Sequence, residues 1–381
     1  MRVALACTGL GHVFRGYEAS VSELYASLRG KVDVELYQGA GAGPGKTCAT
    51  TISRYSRLYG AWPLTRVNAY NRYRYESLSF AIDFLRRFAL RPADVLFTPD
   101  HCLAILFKRL RRFFPGRPKL IFSNGAPFEN SFCERFPAVH QKSYQHFKAA
   151  DSILAQRSFF IPNGFDPRRL SRPDNFSVDD MRSRHRLPQS KYLILCLSAW
   201  DMTHKRVDWI IREASQLERD NFALVIAGQP GPDETKLKEM AHQLNVDCRF
   251  MTLDREEVPQ LIWCADAMAL GSLSEGFPRS VGEAMGSGLP VFVHPHENAR
   301  WILGDDSPSL VDLTRRGQLA DAIRRAESGN LDIGTMTERN YKRFIEKFSW
   351  DAVADKYVHM FEQVAYGALP GPTKSELSGA A

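Results

Sequence analysis

The chain has 381 residues, 44% of them apolar and 24% charged, with a net charge of +7. That length exceeds one ordinary hydrophobic core and predicts two domains, while no apolar run is long enough to span a bilayer. The seven cysteines are scattered, with no C-x-x-C pair, which argues against a disulfide frame or zinc site and reads as reduced core thiols of a cytosolic protein.

In chain order, "RVALACTG" reads as a buried first strand rather than a signal peptide, "EASVSELYASLRG" as a helix and "VDVELYQG" as a second strand. From Thr51 to Leu120 there are 14 Lys/Arg against 4 Asp/Glu, interleaved with Tyr55, Tyr59, Tyr70, Tyr73 and Tyr75. Such a surface favours an anionic partner: a membrane leaflet, a phosphorylated substrate or nucleic acid. A solvated helical face would have the same composition, and no nucleic-acid motif accompanies it. "ADVLFTPD" and "KLIFSNG" follow as strands.

The stretch 168–189, rich in Pro, Asp, Ser and Arg, reads as a linker. A second series then begins. Its strands are "KYLILCLSAW", "FALVIAGQ", "CRFMTL", "AMALGS" and "PVFVHP", with helical stretches between them. This alternation predicts an α/β protein with two doubly wound, Rossmann-like parallel-sheet domains facing a cleft. The predicted bounds are 1–167 for the first domain, completed by a C-terminal helix over 350–366, and 190–349 for the second. A disordered tail is expected over 367–381.

The stretch "SLSEGFPRSVGEAMGSGLPVF" (272–292) places Glu275 and Glu283 on either side of a turn at a helix start. Unpaired N–H groups and the helix dipole favour a phosphate there. Gly276 lets backbone approach a ligand, and Pro278 sets the start of the helix. A carboxylate before the turn does not suit a phosphate but suits sugar hydroxyls, and Glu283, one turn on, suits a ribose diol. A helix-capping Glu275 and an ordinary helical Glu283 would fit the residue types as well.

"SEGFPRSVGEAMGSGLPV" resembles the E-x7-E signature of retaining glycosyltransferases of family 4, with the GT-B fold. "RGYEASVSELYASL", "IPNGFD" (161–166), "HKRVDWIIREA" and "FSWDAVADKYVHMF" are similar to other motifs of that family, in the same order. The resemblance implies that Glu275 binds donor-sugar hydroxyls, with Gly276, Phe277, Pro278, Arg279 and Ser280 around sugar and diphosphate. Glu283 would bind ribose, Lys205 would neutralise the leaving diphosphate, and Gly16 would approach that diphosphate from the first domain.

Two positions depart from the family pattern. Ala199 and Trp200 stand near the place of an expected arginine, for which Arg206, Arg279 or His204 are candidate substitutes. Asn124 stands where a histidine is usual, and His101 in "TPDHC" is the nearest candidate for a cleft histidine, though it fits a core or surface position equally.

No Asp-x-Asp lies at a strand end, and no carboxylate suggests itself as a nucleophile. The expectation is therefore metal-independent front-face transfer from a nucleotide-diphospho-sugar, with no cofactor, to a hydroxyl acceptor. The expected place is cytoplasmic, or peripheral on the inner face of a membrane, with region 51–120 meeting an anionic surface or lipid-linked acceptor. Base specificity is expected near "FMTL" (250–253). Two readings compete: a non-catalytic nucleotide- or glycan-binding member of the same fold, and a P-loop kinase or NTPase built on "AGAGPGKT" (40–47), with Lys46 as its phosphate lysine and Asp100 as its magnesium carboxylate.

Overall fold

The computed structural model describes residues 1–13, 16–41, 44–54, 56–61, 63–125 and 128–367. The tail expected to be disordered therefore falls outside the description, except for Gly367. Two compact units emerge, one of residues 1–164 with the segment from Trp350 on, the other of residues 165–349.

The first unit is built on seven strands: β1 (Arg2–Cys7), β2 (Asp33–Gln38), β3 (Lys46–Thr47), β4 (Val95–Thr98), β5 (Lys119–Asn124), β6 (Ala138–Gln141) and β7 (Ser158–Phe160). Their spatial order is β3-β2-β1-β4-β5-β6-β7, and every pairing is parallel. Parallel strands are covered on both faces, so they read as unbroken apolar runs. One face of β1 and β4 packs against the helix Trp350–Tyr366 through Tyr357, Met360 and Phe361. The other face packs against Phe80, Phe84 and Phe88 of the helix Ala69–Leu90.

The second unit has β8 (Tyr192–Leu197), β9 (Phe222–Ala227), β10 (Cys248–Met251), β11 (Ala267–Leu270) and β12 (Val291–Val293), in the parallel order β10-β9-β8-β11-β12. In each unit the winding reverses once, between β1 and β4 and between β8 and β11. Ligands of open α/β sheets bind at the carboxyl ends of the strands at such a reversal.

The stretch 168–189 is not a linker. It folds onto the second unit, and the helix Val178–Arg184 buries Met181 and Arg182. The Arg182 guanidinium donates to the carbonyls of Cys264, Pro188, Gln189 and Lys191 and to Asp266 Oδ2 at 2.9 Å. These five acceptors lie near or far in sequence but together in space, and they turn a polar segment into structure.

Buried polar groups elsewhere are similarly satisfied. Glu213 is 1% exposed. Its carboxylate accepts the N–H groups of Gly317 at 2.8 Å, Leu319 at 3.0 Å and Ala320 at 3.2 Å, and so caps the helix Gln318–Glu327. Glu213→Gln keeps the shape but removes the charge from a helix N-terminus. It is expected to destabilise by about 1–2 kcal/mol, read as a lower urea midpoint at unchanged m-value.

The P-loop reading is overturned. Lys46 and Thr47 form edge strand β3 beside Tyr37 and Gln38, and no helix opens after them. Lys46 Nζ lies 3.1 Å from Glu35 Oε1, while Ala42 and Gly43 of that stretch lie outside the described residues. Asp100, offered there as a magnesium ligand, is buried and caps the helix His101–Leu110 by accepting from the N–H groups of Cys102 and Leu103. The seven cysteines are free, and burial pushes the Cys48 and Cys102 thiols up to about 12, which disfavours the thiolate.

Candidate active site

The second unit gathers the strongest cluster of candidate residues at its switch point. The chain leaves β8 through a loop over 198–206 into the helix Val207–Ala214, and leaves β11 through 271–278 into the helix Arg279–Gly286. β8 and β11 are neighbours, so the two loops meet above their carboxyl ends. The approach is close: a Cβ on Gly271 would stand 2.6 Å from Arg206 O and 2.7 Å from Lys205 O.

The first loop is held by Asp201. Its Oδ1 accepts from His204 N at 2.5 Å and Lys205 N at 2.9 Å, and Thr203 Oγ1 also donates to the carboxylate. Burial opposes the charge, but these donors outweigh it and hold the Asp201 pKa below the usual carboxylate range. Arg206 follows in the left-handed region, φ 49° and ψ 45°, as the cap of the next helix. That conformation costs a non-glycine residue about 1 kcal/mol. Arg206 Nη1 donates to Gly271 O at 3.3 Å and Leu313 O at 3.2 Å, and its guanidinium lies 4.6 Å from the Trp209 ring centroid. The side chain is thus tied to the scaffold.

These constraints deliver Lys205 to Glu275. Lys205 Nζ is 2.5 Å from Glu275 Oε1, which also accepts from Ser272 Oγ at 2.6 Å. Asn298 Nδ2 holds the Glu275 carbonyl at 2.6 Å. His204 Nε2 is 4.0 Å from the same carboxylate oxygen.

Beyond the turn, Phe277 packs against Phe165 and edge-on against Phe348, and Pro278 is the N-cap of the helix Arg279–Gly286. Ser280 lies in the helix's first turn, whose leading N–H groups have no acceptor within the helix. Arg279 Nη2 is 3.6 Å from Glu283 Oε1, and its guanidinium lies 4.6 Å from the Phe165 ring centroid. Gly276 sits between Glu275 and this aromatic platform in the chain.

Three further residues belong here that the sequence reading passed over: Asp201, Ser272 and His296. His296 caps the helix Glu297–Leu303 with Nδ1 accepting from Ala299 N. Burial lowers its pKa to about 4, against the pull of the Glu275 charge. At neutral pH the ring is therefore uncharged, with its proton on Nε2. The signal available was position: "HPHEN" follows β12, the neighbour of β11, at the same carboxyl edge.

The remaining predicted residues lie in the first unit. Gly16 opens the helix Gly16–Leu28, and its carbonyl accepts from Ser20 Oγ. Asn124 ends β5, is 1% exposed, and donates through Nδ2 to Phe128 O at 3.0 Å and Gln141 Oε1 at 2.9 Å; its Oδ1 is buried and has no partner among the described residues. His101 is buried among the rings of Tyr70, Tyr73, Phe128 and Phe132, and burial lowers its pKa. Such a ring tends to stay neutral.

Of the two substitutes for the missing arginine in the second unit's first loop, Arg206 is engaged with carbonyls and His204 is the exposed one near Glu275. Trp200, at the departure itself, is buried against Phe250 with Lys238 over its ring. Near the expected base-reading stretch, Thr252 Oγ1 donates to Gly228 O and Gly228 N to Met251 O.

Residues 177–347, somewhat less than half of the chain, match the family described as glycosyl transferases group 1. The MMP alpha-(1->4)-mannosyltransferase of Mycolicibacterium hassiacum is 26% identical over 176 residues, 45% of this chain and 43% of that protein. The GtfA subunit of the UDP-N-acetylglucosamine–peptide N-acetylglucosaminyltransferase of Limosilactobacillus reuteri is 27% identical over 148 residues, 36% of this chain and 28% of that protein. The chain thus spans less than half the length of these relatives. Among solved structures, sucrose-phosphate synthase of Thermosynechococcus elongatus superposes with a TM-score of 0.76 at 17% identity, covering 96% of this chain and 99% of that one. Anabaena HepE in complex with UDP and glucose gives 0.75 at 14% identity, over 95% and 100%. At these identities the likeness establishes the fold, which is GT-B.

Proposed function

We propose that this chain is a retaining, metal-independent glycosyltransferase of family 4. It moves a sugar, a hexose in the first instance, from a nucleotide-diphospho-sugar to an acceptor hydroxyl. The observation that carries the reading is the Lys205–Glu275 pair at the β8/β11 switch point, ahead of a helix N-terminus. The group 1 match, and the complexes of Anabaena HepE with UDP and glucose and with UDP-glucose, support it.

In this reading the nucleotide's diphosphate lies against the first turn of Arg279–Gly286, and Glu283 takes the ribose diol. Glu275 takes sugar hydroxyls. Front-face transfer forms the bond from acceptor oxygen to anomeric carbon as the bond from that carbon to the diphosphate oxygen breaks. The acceptor's proton passes to the departing diphosphate. Charge growing on the leaving group meets the Lys205 ammonium, a fixed cation that fills the role a metal takes elsewhere. The arginine-rich region 51–120 receives an anionic or lipid-linked acceptor, consistent with work at the cytoplasmic face of a membrane.

The test is a melting-temperature screen with UDP-, GDP-, dTDP- and ADP-sugars, with and without EDTA, on the wild type and Glu283→Ala. A ligand bound at 100 times its Kd adds about 2.7 kcal/mol to the native state. One nucleotide series should stabilise the wild type, with or without EDTA, and fail to stabilise the variant. Stabilisation that vanishes with EDTA removes metal independence. No stabilisation by any of the four removes the donor reading.

A second reading, a non-catalytic binder on the same fold, is favoured by one observation: Asn124 spends both Nδ2 protons on Phe128 O and Gln141 Oε1 within the first unit and carries no titratable proton. Donor hydrolysis in the absence of acceptor would exclude it.

A further inference from the structure

The helix Ala69–Leu90 carries two apolar faces, and only one has a use in the fold. Phe80, Phe84 and Phe88 point into the core against Tyr37, Phe107 and Phe114. The opposite face repeats at helical spacing through Arg74, Tyr75, Leu78, Ile82 and Arg86, all exposed. Ile82 is 69% exposed and Leu78 51%. At the C-terminal end of this helix Leu90 is 84% exposed. Phe88 meets Phe114 at 5.4 Å, and next to Phe114 stands Phe113, 70% exposed, with the Arg112 guanidinium 4.8 Å from its ring.

The charge around these apolar residues has one sign. From Tyr70 to Arg117 there are four carboxylates. Glu76, Asp83 and Asp100 are buried: Glu76 pairs with Arg54 and His12, Asp83 with Arg86 and Arg87, and Asp100 accepts from Ser77 and Thr8. Asp94 accepts from the Arg2 backbone N–H. Arg74 donates to Asn71, Arg111 to the Pro118 carbonyl, and neither these two nor Arg109 and Arg112 meet a carboxylate among the described residues.

We propose that the outer face of Ala69–Leu90, with Phe113 and the arginines at 109, 111 and 112, is a docking surface for an anionic lipid bilayer. Leu78, Ile82 and Phe113 enter the headgroup region, and the arginines stay among lipid phosphates. Aliphatic and aromatic side chains flanked by arginines suit an interface that is apolar below and negative above. The helix is about 33 Å long, enough to lie along a membrane surface. A second copy of this chain fits worse. A two-fold contact would bring like arginines together, and among the described residues from Tyr70 to Arg117 the one exposed carboxylate, Asp94, already accepts from the Arg2 N–H. The inference deepens the acceptor reading of region 51–120 and rests on it for its purpose, while vesicle binding is measured without the Lys205 site and can fail or succeed independently of transfer.

The full chain is sedimented with phosphatidylcholine vesicles and with vesicles in which about one lipid in three is phosphatidylglycerol. The expected result is binding to the anionic vesicles that weakens with salt, and little binding to phosphatidylcholine. Leu78→Glu/Ile82→Glu and Arg109→Glu/Arg111→Glu/Arg112→Glu should each weaken it by about tenfold or more, with melting temperatures close to wild type because the altered side chains lie outside the core. Wild-type binding by Leu78→Glu/Ile82→Glu would overturn the proposal, as would a wild type that binds neither vesicle. A wild type that ignores vesicles but forms a dimer split by Leu78→Glu/Ile82→Glu would assign the face to a second copy instead.

Discussion

Lys205→Ala lowers kcat by about 10²–10³-fold in the proposed transfer, with a much smaller change in donor KM. The argument rests on where charge develops. In the ground state the diphosphate is already an anion, and in the proposed reading the unpaired N–H groups at the start of Arg279–Gly286 would hold it whether or not a lysine is present. As the sugar–oxygen bond breaks, an additional negative charge gathers on the bridging oxygen, and a cation there stabilises the transition state more than the bound donor. Lys205 is well prepared for this. Its backbone N–H is fixed by Asp201, the following residue is locked by Gly271 O and Leu313 O, and its ammonium is held by Glu275.

A structural role makes a different prediction. If Lys205 only neutralised Glu275, Glu275→Gln would relieve the loss, because the amide still accepts from Ser272 Oγ without needing a cation. With the lysine acting on the leaving group, and Glu275 itself binding sugar hydroxyls, the double variant Lys205→Ala/Glu275→Gln should be at least as slow as Lys205→Ala, while Lys205→Arg recovers part of the rate. Recovery of kcat in the double variant would show that the lysine is there for the glutamate and not for the leaving group.

How much of this was readable in the residues differs from element to element, for physical reasons. Strands such as Arg2–Cys7, Tyr192–Leu197 and Phe222–Ala227 are buried on both faces, so they stand out as apolar runs. β6, only Ala138–Gln141, carries His140 and Gln141 in a fully buried position, and that polarity hides it. His140 is tolerated there because Ser123 Oγ and the Ile161 carbonyl meet its two nitrogens and burial lowers its pKa to about 3, so the ring is neutral. The helix Ala69–Leu90 was legible only as a basic, aromatic region, since apolar residues on two faces blur its period. The stretch 168–189 hides its order because two of the five acceptors of Arg182, Cys264 O and Asp266 Oδ2, lie 82 and 84 residues away in sequence.

In the candidate site, Glu275 and Glu283 are local to one turn and one helix, so spacing alone brings them to notice. Lys205 lies 70 residues before Glu275. Their contact depends on β8 and β11 being neighbours, which no local pattern states. Ser272, Asp201 and His296 escaped notice for the same reason: their roles arise from loops meeting at a switch point.

The same meeting of loops makes Gly271→Ala a damaging small substitution in the second unit, and one that acts directly on the Lys205 loop. Gly271 follows directly on β11, and its missing side chain is the space through which the backbone of Lys205 and Arg206 passes. A Cβ would lie 2.6 Å from one carbonyl oxygen and 2.7 Å from another, well inside contact distance, and neither belongs to a flexible side chain. Relief requires moving a backbone segment that already contains a left-handed arginine and is pinned by Asp201 at one end and by Arg206 Nη1 at the other. Overpacking of this kind costs about 1–3 kcal/mol and sometimes more, and the upper part of that range is expected because the clash is with main chain. The displacement also separates Lys205 from Glu275, so kcat should fall together with the melting temperature. Gly334→Ala supplies the contrast. Gly334 lies in the first turn of the helix Ile333–Phe348, where an added Cβ meets nothing closer than Asp332 Oδ1 at 3.5 Å, and alanine's helix propensity should raise stability by about 0.5–1 kcal/mol. If Gly271→Ala melts and turns over like Gly334→Ala, the two loops are not held together as tightly as the Lys205–Glu275 pair requires, and the pair loses its claim to be a preorganised site.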